Sequence, residues 1–310
     1  MNMERFENHP FILAPIVLFA FIRKETLEQT INTLKKNYLA KDSDLFIYID
    51  GPRNENDIPL VMQVEQYCSS IEGFKSVSIR KNEKNKGLDP SVIDGVTEVI
   101  NKYGKAIILE DDVITTSNFL NYMNQCLLIF ENDKRIMSIS GWGIDIVLPA
   151  DYQYDAYLFG RSSSWGWATW KNRWKLIDWD IKDWSTFRRN RKHIKQFNKR
   201  GGSDMFQMLK KCMNGGNMWD IRFCYNMFKL DMYSIIPILS KTDNIGFNEL
   251  ATHCKPIKYK RFTITFDESC KLDFNISTMM QPDERIIKQR LRISSFYVRL
   301  LTRLKNIISR

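Results

Sequence analysis

A chain of 310 residues with 44% hydrophobic and 26% charged side chains has an ordinary globular composition and can bury one large core or two smaller ones. Its six cysteines (Cys68, Cys126, Cys212, Cys224, Cys254 and Cys270) are scattered without a CxxC pair, which argues against a zinc ribbon or a small disulfide scaffold and favours a reducing cytoplasm. The net charge of +10 suits an anionic partner, but no RNA- or DNA-binding motif accompanies it, so no nucleic acid is expected.

The apolar stretch from Phe11 to Ile22 is broken by Pro15 and reaches only about half the length of a bilayer span. It lacks the basic start and small-residue cleavage site of a signal peptide, and it reads as a buried first strand, Pro15–Arg23. Thr26 then caps a helix with Leu27, Ile31 and Leu34 on one face. Leu45–Ile49 is a second strand, ending in the turn residues Asp50-Gly51-Pro52. Ile58–Ser70 reads as a helix, and Val77–Arg80 as a short strand. Asp89-Pro90 opens another helix, with Val92, Val96, Val99 and Ile100 as its buried stripe. A strand over Lys105–Leu109, a helix over Asn118–Phe130 and a strand over Arg135–Ser140 follow. This βαβαβαβαβ order predicts an α/β fold, a mainly parallel central sheet with helices on both faces. No internal repeat or low-complexity tract interrupts it.

In open α/β sheets, ligands bind beyond the carboxyl ends of the strands. Here Arg23 follows the first strand, Asp50 the second, and Glu110-Asp111-Asp112 the fourth. Adjacent carboxylates repel, so the triplet makes sense chiefly with a cation beside it. Hard oxygen ligands at a phosphate-binding site favour Mg²⁺ or Mn²⁺. The competing reading is an acidic turn that caps the next helix, although Ser117 stands better for that task.

Trp142, Trp165, Trp167 and Trp170 cluster downstream. Aromatic faces stack on the C–H face of a pyranose, so either Trp165 or Trp167 is expected to line the site, the other being core. Basic residues gather at 188–200 and again from Arg285 to Arg310, a tail with eight Lys or Arg and no acid. In that tail Ile293, Tyr297, Leu300, Leu301, Leu304 and Ile308 recur at helical spacing, with Lys288, Arg292, Arg299 and Arg303 on another face. Such a helix suits an anionic membrane surface; the alternative is a solvated helix packed on its own domain.

Several segments resemble GT-A fold glycosyltransferases, in particular N-acetylglucosaminyltransferase I and bacterial glycosyltransferase family 2-like enzymes, over most of residues 14–256. "LFAFIR" is similar to that family's first strand, "IYIDG" to its second, and "IILEDDVITTSNFLNYM" to its acidic motif and following helix. "MSISGW" and "SWGWATW" stand where the family has a strand and a Gly-Trp loop near the sugars. The resemblance implies a GT-A (Rossmann-like) fold plus a basic C-terminal helical tail. By it, Arg23 contacts a nucleotide diphosphate and Asp50 the nucleoside; Asp112 ligates the metal, Glu110 faces the donor sugar, and Asp111 lies nearer the ribose. The family carries a Trp and two acids before a helix; Trp219 and Asp220 stand here at the same spacing from Pro237, but the second acid, the family's base, is Ile221. Asp220 and Asp204 are therefore both candidate bases. "TDNIGFNELATHC" resembles a bacterial loop whose His, here His253, ligates the metal or touches the diphosphate, supported by Asn244 and Gly246.

The expected organisation is a transferase domain over 1–260, with a nucleotide-sugar half at 1–135, an acceptor half at 136–260, and a C-terminal extension over 261–310. The implied activity is inverting, Mn²⁺- or Mg²⁺-dependent transfer from a UDP-sugar to a glycan or lipid-linked acceptor. Bacterial surface polysaccharide or lipopolysaccharide synthesis at the inner face of the plasma membrane is the implied setting. A sugar-phosphate nucleotidyltransferase is a second reading, weakened because "AFIRKETLEQT" is not a Gly-rich phosphate loop. A non-catalytic carbohydrate- or membrane-binding protein is a third, and Ile221 is its best support.

Overall fold

The computed structural model describes residues 12–216, 218–246 and 261–308. The first half alternates as the sequence predicts: β1 (Ile16–Ala20), α1 (Lys24–Leu34), β2 (Asp44–Ile49), α2 (Ile58–Ser69), β3 (Ser76–Lys81), α3 (Leu88–Tyr103) and β4 (Lys105–Glu110). A short β5 (Val113–Thr115) comes next, then α4 (Phe119–Ile129) and β6 (Ile136–Ser140). Further on lie β7 (Ala156–Phe159), β8 (Trp167–Trp170), α5 (Lys171–Trp174), α6 (Trp184–Phe187), α7 (Arg191–Gly201), α8 (Met205–Met213) and α9 (Trp219–Lys229). The remaining elements are β9 (Tyr233–Pro237), β10 (Thr242–Asn244), α10 (Glu284–Ile293) and α11 (Phe296–Ile308).

Two caps differ from expectation. Arg23 occupies the N-cap of α1, while Thr26 sits inside the first turn and donates its hydroxyl to the Arg23 carbonyl (3.1 Å). Ser117 does not cap α4: Asn118 holds that position, and its amide instead donates to Asp267 and to the Ser269 and Lys271 carbonyls.

Eight strands form one sheet in the order β3-β2-β1-β4-β8-β6-β9-β7. The first four run parallel, as do β6 and β9; β8 is antiparallel to β4 and β6, and β7 to β9. The sheet is therefore mainly parallel. Ala106 to Leu109 of β4 are buried on both faces, as a covered sheet requires. Alternation assigns the faces: Ile16 and Leu18 pack with α1, α2 and α4, whereas Val17 and Phe19 pack with α3 and α9. A separate ribbon pairs β5 with β10, Asn244 opposite Val113.

Residues 261–283 are woven into the fold. Phe274, Ile276 and Met280 join the core that α4 covers, and Asp267 forms a buried ion pair with Lys241. Through Ile286, α10 packs on Tyr157, Phe159 and Ile236. The expected tail helix is thus two helices, broken at Ser294-Ser295, and only the first has its apolar residues in a core cluster. Cys68, Cys126, Cys212 and Cys224 are buried thiols, and Cys270 is an exposed one.

Candidate functional site

Parallel pairing brings three strand ends to one edge. Phe19 lies opposite both Tyr48 and Glu110, so the residues after β1, β2 and β4 emerge side by side. They frame a cleft of about 660 Å³ that reaches from the 82–87 loop to the N-terminal end of α9. Arg23, Asp50, Glu110, Asp111, Asp112 and Asp220 all line it.

The acidic triplet is divided by its partners. The Arg23 guanidinium pairs with Asp111 through one nitrogen and with Asp112 Oδ2 through the other, the latter at 2.8 Å. Burial alone would lower the Arg23 pKa, but the two carboxylates raise it, so this side chain stays charged. Asp111 is 3% exposed; burial pushes its carboxyl up to about 6, although Arg23 opposes the shift. Asp112 Oδ1 accepts from the Asn244 amide (2.9 Å), and its carbonyl accepts from Ile245 N–H (2.9 Å). The β5–β10 ribbon thereby holds Asn244 and Gly246 over Asp112. A Cβ at Gly246 would collide with Asp112 Oδ2, so the approach needs glycine.

No hydrogen bond or ion pair to a described residue engages the Glu110 carboxyl. Burial, then the Asp112 and Asp111 charges, raise its pKa well above the carboxylate range. Three carboxylates against one guanidinium leave an excess of negative charge in a recessed site, which is what a cation would offset. Among the described residues no three His, Cys, Asp or Glu converge as a ligand set. A divalent ion here would take Asp112 as its protein oxygen ligand and complete its shell with phosphate and water oxygens, the habit of Mg²⁺ and similar ions.

Asp50 is more fully committed than the sequence suggested. Oδ1 accepts from Gly51 N–H, Asn82 Nδ2 and Lys86 N–H, and Oδ2 from Asn85 Nδ2 and Gly87 N–H, at 2.9–3.1 Å. Those donors use the lone pairs of one carboxylate. Asp50 therefore fixes the 82–87 loop along the cleft. Arg53 lies over the Phe21 ring nearby, at 4.9 Å.

Across the cleft, Asp220 sits in the first turn of α9, where the nearby Ile221 N–H favours its charged form. Burial raises its pKa while Arg161 opposes the rise. Ile221 is 1% exposed and packs in an apolar cluster with Phe187, Phe197 and Leu209. A second acid at that position would face this cluster, so only Asp220 is turned to the cleft. Asp204 lies outside the cleft: at the N-cap of α8 it is buried and paired with Arg161 (3.0 Å). The structure does not bring it to the site, because its carboxylate serves a buried ion pair.

The tryptophans divide cleanly. Trp165 lines the cleft and meets Trp142 edge-on at 4.9 Å. Trp167 is 1% exposed, stacked between Trp174 (5.8 Å) and Trp219 (4.9 Å). Trp167→Ala is expected to cost about 3–5 kcal/mol of stability by leaving a cavity. Trp165 is only partly buried but packs on Trp142, Phe262 and the core, so Trp165→Ala should cost a smaller though measurable amount, which thermal melts of both variants would check. His253 lies outside the described residues.

One pair escaped the sequence reading. Asp89 Oδ2, in the first turn of α3, accepts from Arg222 Nη2 of α9 at 2.5 Å, tying the two sides of the cleft together. Asp89 looked like a helix opener, and nothing in the sequence joins it to a residue 133 positions away.

No protein-family model matches the chain. Among characterised proteins, it is 29% identical over 215 residues to an alpha-1,3-mannosyl-glycoprotein 2-beta-N-acetylglucosaminyltransferase of Arabidopsis thaliana, an alignment covering 58% of this chain and 44% of that protein. The chain thus spans less than half of the relative's length. Among solved structures, it is similar to the mannosyltransferase PcManGT from Pyrobaculum calidifontis, solved with GDP-Man and Mn²⁺ (TM-score 0.36, 9% identity, covering 73% of this chain and 74% of that one). It is also similar to TarS of S. aureus (TM-score 0.43, 8% identity, 76% of this chain and 37% of that one). In sequence, then, the chain is similar to a glycosyltransferase of the N-acetylglucosaminyltransferase kind that its own motifs resemble.

Proposed function

We propose that the cleft binds a nucleotide-sugar and that the protein is an inverting glycosyltransferase. The observation that carries this reading is the crowding of Glu110, Asp111 and Asp112 around Arg23 at the ends of parallel strands, an arrangement that wants both a cation and an anionic ligand. The sequence similarity to an N-acetylglucosaminyltransferase supports sugar transfer as the class.

In this reading the 82–87 loop and Phe21 receive the nucleoside, with Asp50 holding the loop in place. Arg23 faces the diphosphate, where its fixed charge favours the leaving group as negative charge develops. A Mn²⁺ or Mg²⁺ held by Asp112 would supply Lewis-acid stabilisation to the same oxygens. Glu110, whose carboxyl has no hydrogen-bond or ion-pair partner among the described residues, is placed to hydrogen-bond the hydroxyls of the donor sugar. The acceptor hydroxyl enters from the opposite wall, over Trp165, and Asp220 takes its proton as the hydroxyl attacks the anomeric carbon. Attack from the face opposite the diphosphate inverts that carbon.

Residues 1–135 then serve as the donor half and 136–260 as the acceptor half. A UDP-sugar donor, a glycan or lipid-linked acceptor, a role in bacterial surface polysaccharide synthesis and a place at an anionic membrane complete the proposal. Incubation with UDP-, GDP- and CMP-sugars, with Mn²⁺ or with EDTA, tests it. Metal-dependent release of one nucleoside diphosphate and a β-linked product from an α-linked donor are expected. Release of pyrophosphate from a nucleoside triphosphate and a sugar phosphate would favour nucleotidyl transfer, and nucleotide-sugar binding without turnover would favour the non-catalytic reading.

A further inference from the structure

The two C-terminal helices differ in what they do with their apolar side chains. In α10, Ile286 is fully buried, and Ile287 and Leu291 pack beside it against Tyr157 and Phe159. In α11 the arrangement is inverted. Phe296 (70% exposed), Tyr297 (67%) and Ile307 (59%) face outward, as do Leu300, Leu301 and Leu304. At 3.6 residues per turn these six form one stripe along the helix. Val298, Arg299, Thr302 and Asn306, on the other side, are the partly buried positions. Thr302 donates its hydroxyl to the Val298 carbonyl, and Asn306 its amide to the Thr302 carbonyl, so the polar side is satisfied within the helix. A soluble helix puts its apolar stripe toward the core; this one displays it.

We infer that α11 docks flat on an anionic phospholipid surface, with that stripe in the acyl boundary and the exposed Arg303 and Lys305 among the headgroups. Charge selects this occupant. From Glu284 to Ile308 there are seven Lys or Arg and one acid, on a chain already at +10. A second copy would bring like charges together around the stripe, whereas an anionic leaflet gains from every one of them. Thirteen residues rise only about 20 Å as a helix, so α11 lies in the interface and does not cross it. No helix among the described residues is long and apolar enough to cross a membrane. That docking brings a lipid-linked acceptor within reach rests on the proposed transferase reading; the binding itself does not.

The test is flotation of the full chain with phosphatidylcholine vesicles, with and without 30 mol% or so of phosphatidylglycerol. The wild type is expected to float with the anionic vesicles only. Leu300→Glu with Leu304→Glu should lower binding at least tenfold, and Arg303→Gln with Lys305→Gln by about 30-fold, near fivefold per charge. Circular dichroism and melting of each variant establish that it is folded, and turnover of a nucleotide-sugar with a water-soluble acceptor should match the wild type. Failure of the wild type to float, or unchanged flotation of the Leu300→Glu and Leu304→Glu variant, would overturn the inference. So would a concentration-dependent dimer that this variant abolishes, which would assign the stripe to a second copy. Loss of turnover in the wild type with flotation intact would instead count against the transferase reading alone.

Discussion

Asp112→Asn is expected to lower sugar transfer by on the order of 10²–10³-fold while leaving the protein folded. The magnitude is that of removing one fixed group that stabilises developing charge in a recessed site. The fold should survive because asparagine keeps the volume and the contact with Asn244, and Arg23 retains its pair with Asp111. Steady-state turnover against a Mn²⁺ series checks this, and the loss should appear both as a weaker metal response and as a lower limiting rate. Near-normal turnover in a folded Asp112→Asn protein would remove this carboxylate from the account.

The second large effect concerns the proton. Asp220→Asn should reduce kcat by about 10²–10⁴-fold, the range of a positioned general base. Because burial raises the Asp220 pKa, the wild-type rate should fall on acidification at a pH above the ordinary carboxylate range, and the variant should lose that limb. The stability sign follows from linkage. A carboxyl with a raised folded-state pKa contributes stability below its unfolded value and loses it as pH rises through the folded one. Asp220→Asn should therefore melt higher than the wild type at pH 8 and similarly to it at pH 4. Asp204→Asn should behave differently: breaking its buried pair with Arg161 costs about 3 kcal/mol, with the kcat of the folded protein little changed. If Asp204→Asn removed the acid limb and Asp220→Asn did not, the roles would be reversed.

Much of the first half was legible because its signals are local. Continuous apolar runs and turn residues placed β1, β2 and β4 within a few residues, and the charged residues that end those runs marked their carboxyl ends. The candidate site residues Arg23, Glu110, Asp111 and Asp112 could be named for the same reason: each ends or follows a buried strand. What stayed hidden depends on contacts distant in sequence. Nothing local says that β8 inserts between β4 and β6 in the opposite sense, or that Thr242–Asn244 returns to lie on Val113–Thr115 and clamp Asp112. Asp204 and Asp220 each stand at the start of a helix; only the third dimension gives Asp204 its arginine and Asp220 its cleft. Asp50 was found as a residue but not as a partner of five donors, because those donors come from its neighbour and from a loop more than 30 positions on. Likewise the tail's apolar period is visible in the sequence, while its change of role from α10 to α11 is a property of the packing.

Titration calorimetry with UDP and with GDP, each with and without Mn²⁺, on the wild type and on Asp112→Asn reaches the central claim most directly. The account predicts that one nucleoside diphosphate binds the wild type in the low micromolar range or somewhat weaker, at least tenfold more tightly with Mn²⁺ present, and that Asp112→Asn loses the metal's contribution. A folded wild type that binds neither nucleotide, with or without the metal, would contradict the assignment of this cleft to a nucleotide-sugar.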